Sequence, residues 1–229
     1  MRNRCCVWRS RWPNPGTVST CGSWWNSAML RRALSTGAVT LSLAFIVPLP
    51  AAEADAPSLT LPIACTPGED CWIVNYVDVD PGPGRQDFMC LDMSYDGHKG
   101  TDFGLANLNR IDDDVPVLSA ASGRVVGVRD EMEDVNFRDI GRDAIAGREC
   151  GNGVRIDHGQ GWATQYCHLK RDSAVVRAGQ DVQAGQVLGA VGLSGLTEFP
   201  HLHMQLTKDQ TPVDPFIGDV DLGDAADQA

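Results

Sequence analysis

Histidine and aspartate occur at spacings that could bind a metal ion. The chain has five histidines. Four of them lie in three short segments, Gly97–Gly104, Thr164–Leu169 and Pro200–Met204, and the first segment also contains Asp102. Imidazole and carboxylate groups are good zinc ligands, and a catalytic zinc ion keeps three protein ligands and one water. These segments therefore predict a site in which a His, an Asp and a second His meet around one metal ion.

The His201-x-His203 pair has the spacing of two side chains on one face of a strand. Successive side chains of a strand alternate between faces, so these two imidazoles would lie on the same face, about 6.6 Å apart along the chain. A His-x-His pair alone is weak support for a metal site. The pair supports a metal site only in combination with the other two segments.

His98 and Asp102 need a bend in the chain to share one ion. On a straight strand residues four apart would lie about 13 Å from each other, too far for one metal ion. Gly97 and Gly100 give the backbone the freedom to bend, because glycine adopts conformations closed to other residues. We therefore expect the chain to turn between His98 and Asp102.

Simpler interpretations exist for each residue taken singly. His158 begins a His-Gly-Gln-Gly segment and is typical of a hydrogen-bonding surface histidine. Asp102 could cap a turn, and His168 could be a core residue beside Tyr166 and Leu169. The residues taken together favour a metal site more strongly than any one of them does alone.

Many short strands must position these residues. The segments with strand character are separated by glycine-rich turns, which favours an all-β domain of antiparallel sheets, with a sandwich as one arrangement. Residues Asp130–Glu149 are polar and charged, and they predict a long surface loop with one short helix. The predicted strands are Trp72–Val79, Asp102–Leu105, Val115–Ser119, Arg124–Arg129, Val154–Asp157, Trp162–His168, Val187–Val191 and His203–Thr207.

The N-terminal region predicts export. Arg31 and Arg32 precede the apolar run Ala38–Pro50 and alanines follow it, which is the pattern of a signal peptide. The run is shorter than the roughly 20 residues that span a bilayer, although an uncleaved membrane anchor stays open as the alternative. We expect residues 29–56 to be the signal peptide, with cleavage after Ala52 or Ala56, and residues 1–28 to be an over-extended gene model ahead of Met29.

Export makes disulfide bonds possible. Cys150 and Cys167 flank the open end of a predicted hairpin, and we expect them to pair. Cys65, Cys71 and Cys90 leave one thiol over, and their connectivity does not follow from sequence. A Cys65–Cys71 bond would close a short loop, and a zinc-thiolate site is the alternative, although no Cys-x-x-Cys pair supports it.

The charge distribution argues against nucleic acid as a partner. The net charge is −11, and residues 1–52 contain six arginines and no acidic residue, so the exported part is more acidic than the whole chain. Binding to phosphates depends on Lys and Arg, so such a surface repels nucleic acid and anionic lipid. Much of this acidity serves solubility.

The ordered motifs resemble the lysostaphin-type zinc endopeptidases, the M23 peptidase family. Those motifs are His98-x-x-x-Asp102, Tyr166-x-His168-Leu169 and Pro200-His201-x-His203. The glycine-rich stretches Asn152–Gly159 and Val176–Gly189, and Val213–Pro215 near the end, are also similar. The resemblance covers roughly residues 95–216.

The resemblance implies a role for each motif residue and a domain plan. It implies that His98, Asp102 and His203 bind one zinc ion, and that His168 and His201 are catalytic residues beside the activated water and the scissile carbonyl. It implies a lysostaphin-type sheet groove in residues 95–217. Residues 57–94 would be a cysteine-containing segment packed on this domain, and residues 218–229 an acidic tail.

The function implied is hydrolysis of peptide bonds in peptidoglycan stem peptides or cross-links. We expect a monomer with no stable membrane span after signal cleavage, in the periplasm of a Gram-negative envelope. A non-catalytic cell-wall-binding or amidase-regulating module of the same fold is the alternative. A biotinyl or lipoyl carrier is disfavoured because no suitable Lys-bearing hairpin occurs, and D-Ala-D-Ala peptidases have a wider His-to-Asp spacing.

Departures from the family pattern lie near the cleft. Glu198 and Phe199 stand where family members commonly have small residues, and Met204 replaces a frequent Phe. The segment between Arg129 and Cys150 is longer than expected. We expect Glu198 and Phe199 to alter specificity and the longer segment to wall the groove, while the change to Met204 is mild.

Overall fold

The structure is a computed structural model that describes residues 56–217. The predictions for residues 1–28, for the leader before residue 56 and for the tail from residue 218 fall outside the described residues. No helix among the described residues is long and apolar enough to cross a membrane.

The described chain is built from antiparallel β-strands, as predicted. Its larger sheet has the strand order β1-β2-β9-β6-β5-β4-β7, with β10 added to β9, and a second sheet pairs β3 with β8. The strands are β1 (Cys71–Asn75), β2 (Thr101–Leu105), β3 (Pro116–Leu118), β4 (Gly123–Arg129), β5 (Asn152–Gly159), β6 (Trp162–Leu169), β7 (Asp181–Val182), β8 (Val187–Ala190), β9 (His201–Lys208) and β10 (Thr211–Val213).

Alternation of side chains separates the two faces of the larger sheet. Val154, Tyr166 and Met204 are buried on one face, where they join a core that also contains Val117 and Leu188 from the second sheet. Neighbouring residues of the same strands point to the opposite face, because side chains alternate along a strand. That outer face is free to carry polar and functional groups.

Helix is confined to short segments in the described part of the chain. The predicted loop 130–149 contains α1 (Phe137–Ile140) and a 3₁₀ turn over Arg142–Ile145, and a further 3₁₀ segment covers Leu108–Asp113. The Asn136 side chain caps α1 by accepting a hydrogen bond from Arg138 N. The expectation of one short helix in this loop is confirmed.

Strand ends differ from the sequence predictions in two ways. β1 ends at Asn75 instead of Val79, because its register shifts after Ile73 and Tyr76 N donates to Met93 O outside the ladder. The strands β7 and β10 were not predicted. They contain two and three residues, too few to show a period of two.

Two disulfide bonds are formed among the described cysteines. Cys150–Cys167 joins the end of the loop 130–149 to β6, as predicted, and Cys65–Cys71 closes the short loop before β1. The second bond removes the zinc-thiolate alternative for this pair of sulfurs.

Candidate metal centre

Two strands and the turn before β2 bring His98, Asp102 and His203 into contact. Asp102 on β2 faces His203 on β9 in the antiparallel register. Asp102 Oδ1 lies 2.8 Å from His203 Nδ1 and 3.1 Å from His98 Nε2. The two imidazole nitrogens are 3.1 Å apart. Three potential ligand atoms therefore converge on one point, as a metal site requires.

The bend expected between His98 and Asp102 is present, because their side chains are 3.1 Å apart where a straight strand would separate the residues by about 13 Å. Gly97, immediately before His98, has a φ of 74°, a left-handed conformation that favours glycine. Gly100 has a different function, since a Cβ atom there would lie 2.6 Å from the His203 ring. Glycine at position 100 thus permits the close approach of β2's entry turn to His203.

A hydrogen bond selects the tautomer of His98 that suits a cation. His98 Nδ1 lies 2.7 Å from the carbonyl oxygen of Tyr76, so this nitrogen carries the proton in the neutral ring. Its Nε2 then presents a lone pair towards the carboxylate of Asp102 and towards His203 Nδ1. Lone pairs in this arrangement repel one another without a proton or a cation between them, so the donor set fits zinc.

Asp102 is held in its charged form. The residue is buried, which alone would raise its pKa, but the contacts with His203 and His98 and the nearby His201 outweigh burial and lower the pKa well below its usual range. Asn75 Nδ2 donates to Asp102 Oδ2 over 2.9 Å. No sequence motif marks Asn75, because only the pairing of β1 with β2 places it beside Asp102.

His201 and His168 lie beside the cluster as a second pair of imidazoles. Their ring centroids are 4.7 Å apart. His201 Nε2 lies 3.6 Å from Asp102 Oδ1, and its Nδ1 donates to the Phe199 carbonyl over 2.9 Å. His201 and His203 share one face of β9, as their spacing predicted, since both pair with β2 residues two apart.

His168 is oriented by the backbone around it. Its Nδ1 donates to Ser194 O over 2.8 Å, which leaves Nε2 with a lone pair. Its φ of 64° takes it out of the regular strand conformation at the end of β6, an uncommon state for a non-glycine residue. The buried Asn152 supports this region, since its N–H donates to Ser194 Oγ and its amide donates to Leu169 O.

Both imidazoles are neutral bases at physiological pH. Burial, reinforced by His201 and His203, lowers the pKa of His168 well below its usual value. Burial also lowers the pKa of His201, although Asp102 opposes that shift. A neutral imidazole whose Nδ1 donates to a carbonyl has Nε2 available to accept a proton.

A cleft of about 340 Å³ opens beside these residues. Phe137 and Arg142 of the loop 130–149 line it, so this insertion forms one wall, as expected. Glu198 lies on the same wall and pairs with Arg138 over 2.7 Å. Tyr95 lines the cleft as well, with its ring centroid 4.3 Å from that of His98, and sequence analysis did not select it. The cleft is lined by Asn75, Tyr95, Asp102, Phe137, Arg142, His168, Leu196, Thr197, Glu198, Phe199 and His201.

His158 does not belong to the cluster of His98, Asp102 and His203. Its ring nitrogens contact Ser122 O at 2.9 Å and Thr164 Oγ1 at 2.8 Å. This histidine therefore has the hydrogen-bonding function predicted for it.

The antiparallel sheet, the converging His–Asp–His atoms and the adjacent neutral imidazoles match the type of site expected of a metallopeptidase. The chain belongs to Peptidase family M23, whose family model matches residues 96–215. This match confirms the resemblance found in the sequence.

The curated relatives include a cell division protein and a peptidoglycan DD-endopeptidase. The chain is 35% identical over 131 residues to the cell division protein DipM of Caulobacter vibrioides, which covers 53% of this chain and 18% of that protein. It is 30% identical over 125 residues to the peptidoglycan DD-endopeptidase ShyB of Vibrio cholerae, covering 55% of this chain and 24% of that protein. The chain thus matches about a fifth of the length of these relatives.

Among solved structures, the chain is similar to a zinc-containing peptidase from Vibrio cholerae. It is 27% identical to this chain, with a TM-score of 0.40, and the match covers 62% of this chain and 39% of that one.

Proposed function

We propose that this chain is a secreted zinc endopeptidase that hydrolyses peptide bonds in peptidoglycan stem peptides or cross-links. The observation that carries the proposal is the convergence of His98, Asp102 and His203 with two neutral imidazoles beside them. Family membership and the peptidoglycan endopeptidases among its relatives support the same substrate.

His98, Asp102 and His203 would hold the zinc ion in this proposal. Bound zinc would supply Lewis-acid activation of a water molecule and of the peptide carbonyl. Asp102 contributes a full negative charge, and the Nδ1–H of His98 is anchored on Tyr76 O. Such an outer hydrogen bond fixes the ring orientation and raises the basicity of the ligand nitrogen.

His168 and His201 would act as general base and general acid in the reaction. Each keeps Nδ1–H on a backbone carbonyl and offers Nε2 to the cleft side. One imidazole accepts the proton from the attacking water and later delivers it to the leaving amine, and either protonated ring stabilises negative charge on the carbonyl oxygen. The hydroxyl group of the water becomes part of the new carboxylate, and its proton becomes part of the new amine.

The envelope of a Gram-negative bacterium is the proposed location. The relatives above come from Caulobacter vibrioides and Vibrio cholerae, and the leader pattern in residues 29–56 predicts export. We further propose that the exported chain acts as a monomer in which residues 57–94 pack on the peptidase domain 95–217, since β1 pairs with β2.

Digestion of purified peptidoglycan by the zinc-loaded protein tests the proposal. Mass spectrometry should find new peptide ends that disappear with a chelator and with the His203→Ala variant. His158→Ala is the matched control, because His158 contacts only Ser122 and Thr164 among the described polar groups. Intact peptidoglycan, from a folded protein holding one zinc ion, would contradict the enzyme and favour the wall-binding or amidase-regulating module.

A further inference from the structure

A second cavity lies on the same outer face of the larger sheet as the metal centre. It measures about 270 Å³, and two arginines, Arg129 and Arg155, line it together with Gly127 and Gln165. We call it the arginine cavity. None of these four residues is among the five candidate site residues discussed above.

Strand register links the arginine cavity to the metal centre. One cross-strand row runs from His203 through Cys167 and Gly153 to Arg129. The adjacent row runs Gln205, Gln165, Arg155 and Gly127. The alternate residues of β5, β6 and β9, Val154, Tyr166 and Met204, are buried in the core, so both rows lie on the outer face with His203.

The distance between the two sites suits one extended peptide. Arg129 on β4 is three strands away from His203 on β9. Neighbouring strands are about 4.8 Å apart, so the separation is about 14 Å, or about four residues of extended chain. A peptide crossing the strands from the metal centre would therefore reach the arginine cavity.

The charges in the cavity favour an anion. Among the described residues, no carboxylate lies within ion-pair distance of Arg129 or Arg155, whereas Arg124 on the same strand pairs with Asp181 at 3.3 Å. Arg129 Nη1 donates to Gly151 O over 3.1 Å, which holds its guanidinium at the cavity. Backbone hydrogen bonds and, more weakly, Arg129 lower the pKa of Glu131 and of Glu149 on the adjoining loop. Neither carboxylate forms an ion pair with Arg129.

Glycine keeps the cavity open. A Cβ atom on Gly127 would meet no other atom within 4 Å, so a larger side chain there would project into free space. The strand itself could accommodate such a side chain, but the side chain would fill the space that a bound ligand needs.

We propose that the arginine cavity is a subsite for a carboxylate that the substrate peptide carries about four residues from the cleaved bond. A carboxylate between two guanidinium groups forms charge-assisted hydrogen bonds, the stronger class in proteins. The substrate class is thus an acidic peptide, and this inference rests on the proposed peptidase function.

The test compares two forms of one substrate. A cross-linked peptide dimer released from peptidoglycan is used with its free carboxyl groups and after their conversion to carboxamides. The full-length zinc-loaded protein should cleave the free acid with a kcat/KM about tenfold higher, the size expected for a hydrogen bond to a charged group. Arg155→Gln should lose this preference, with cleavage of the free acid falling to about the rate found for the amide form.

Matched variants separate this effect from unfolding. Arg124→Gln removes an ion-paired arginine of the same strand outside the cavity and should keep the preference. Arg155→Lys should restore part of it, and Gly127→Leu should slow cleavage of both substrates by filling the cavity. An Arg155→Gln protein that keeps the full preference for the free acid overturns the proposal.

A binding measurement distinguishes failure of the subsite from failure of the peptidase. Calorimetry with the same two dimers should give a Kd about tenfold lower for the free acid, and Arg155→Gln should remove the difference. If the protein cleaves neither dimer yet shows this difference, the subsite stands and the peptidase proposal fails. Equal binding of both dimers overturns the subsite even when cleavage is observed.

Discussion

Three histidines of the candidate site have the same hydrogen-bonding arrangement. His98, His168 and His201 each place Nδ1 against a backbone carbonyl, those of Tyr76, Ser194 and Phe199. Each ring is thereby held in the tautomer that leaves Nε2 unprotonated. The chemistry at the residue scale thus depends on carbonyl groups that no sequence motif specifies.

Separate functions for the ligand and the proton carrier can be tested by substitution. We expect His98→Ala to lose bound zinc, because a ligand is removed. His168→Ala should keep zinc and lose at least about 100-fold in turnover, the usual contribution of a general base. Zinc content by atomic absorption and initial rates on peptidoglycan check both, and a fully active His168→Ala protein would contradict the role given to His168.

Asn75 should matter for metal affinity without being a ligand in this arrangement. Its amide donates to Asp102 Oδ2 and so fixes the carboxylate. We expect Asn75→Ala to weaken zinc binding by about 10–100-fold, the usual effect of losing such a partner. Competition with a chromophoric chelator measures the affinity. The exposed Asn109 provides the control, and equal affinities for Asn75→Ala and Asn109→Ala would show that Asn75 has no such function.

At the scale of elements, the loop 130–149 is tied to the floor of the site. The Cys150–Cys167 bond joins the end of this loop to β6, and Cys150 O accepts a hydrogen bond from His168 N over 2.8 Å. Asn152 adds two hydrogen bonds to Met132 near the start of the loop. The wall of the cleft and the position of His168 therefore depend on the same anchor.

Loss of this disulfide should affect both stability and activity. The bond spans a sequence separation of 17 residues, and a loop of that size corresponds to about 3 kcal/mol in the chain-entropy model. The double variant Cys150→Ser/Cys167→Ser should lose about this much in guanidinium unfolding and should also turn over more slowly. Removing Cys65–Cys71, which is remote from His168 along the sheet order, should lower stability by about 2 kcal/mol and leave turnover unchanged. The same turnover in both double variants would contradict the anchoring role.

At the scale of the whole molecule, an acidic chain buries one carboxyl group near the end of the domain. Asp214 is 1% exposed, and its Oδ2 has no hydrogen-bond partner, although Oδ1 accepts from Phe216 N. Burial raises the pKa of Asp214, and the nearby Asp87 adds to that shift against the backbone hydrogen bonds.

The stability of the domain should therefore fall with rising pH because of Asp214. A carboxyl group whose pKa is raised on folding contributes its full stability below the unfolded value and loses it as pH rises through the folded value. We expect Asp214→Asn to raise the melting temperature by a few degrees at pH 7 and to have no such effect near pH 3. Thermal unfolding at both pH values checks this, with the exposed Asp143→Asn as control. A variant that gains nothing at pH 7 would contradict the cost assigned to the buried charge.

The class of the fold and the five residues of the candidate site could be predicted from the sequence. Alternation along single strands and the short motifs around His98, His168 and His201 are local patterns, so they can be read from neighbouring residues. The same holds for Cys150–Cys167, whose two ends flank one hairpin. The need for a bend before Asp102 followed from the rise per residue of a strand.

The contacts between distant residues across strands could not be predicted from the sequence, because they depend on how the strands pair. Asn75 beside Asp102, Ser194 beneath His168 and the rows that connect His203 with Arg129 depend on the pairing of strands far apart in the chain. A shift of one residue in a register would turn those side chains to the other face. Because that register is set by packing of the whole core, no local pattern in the sequence contains it.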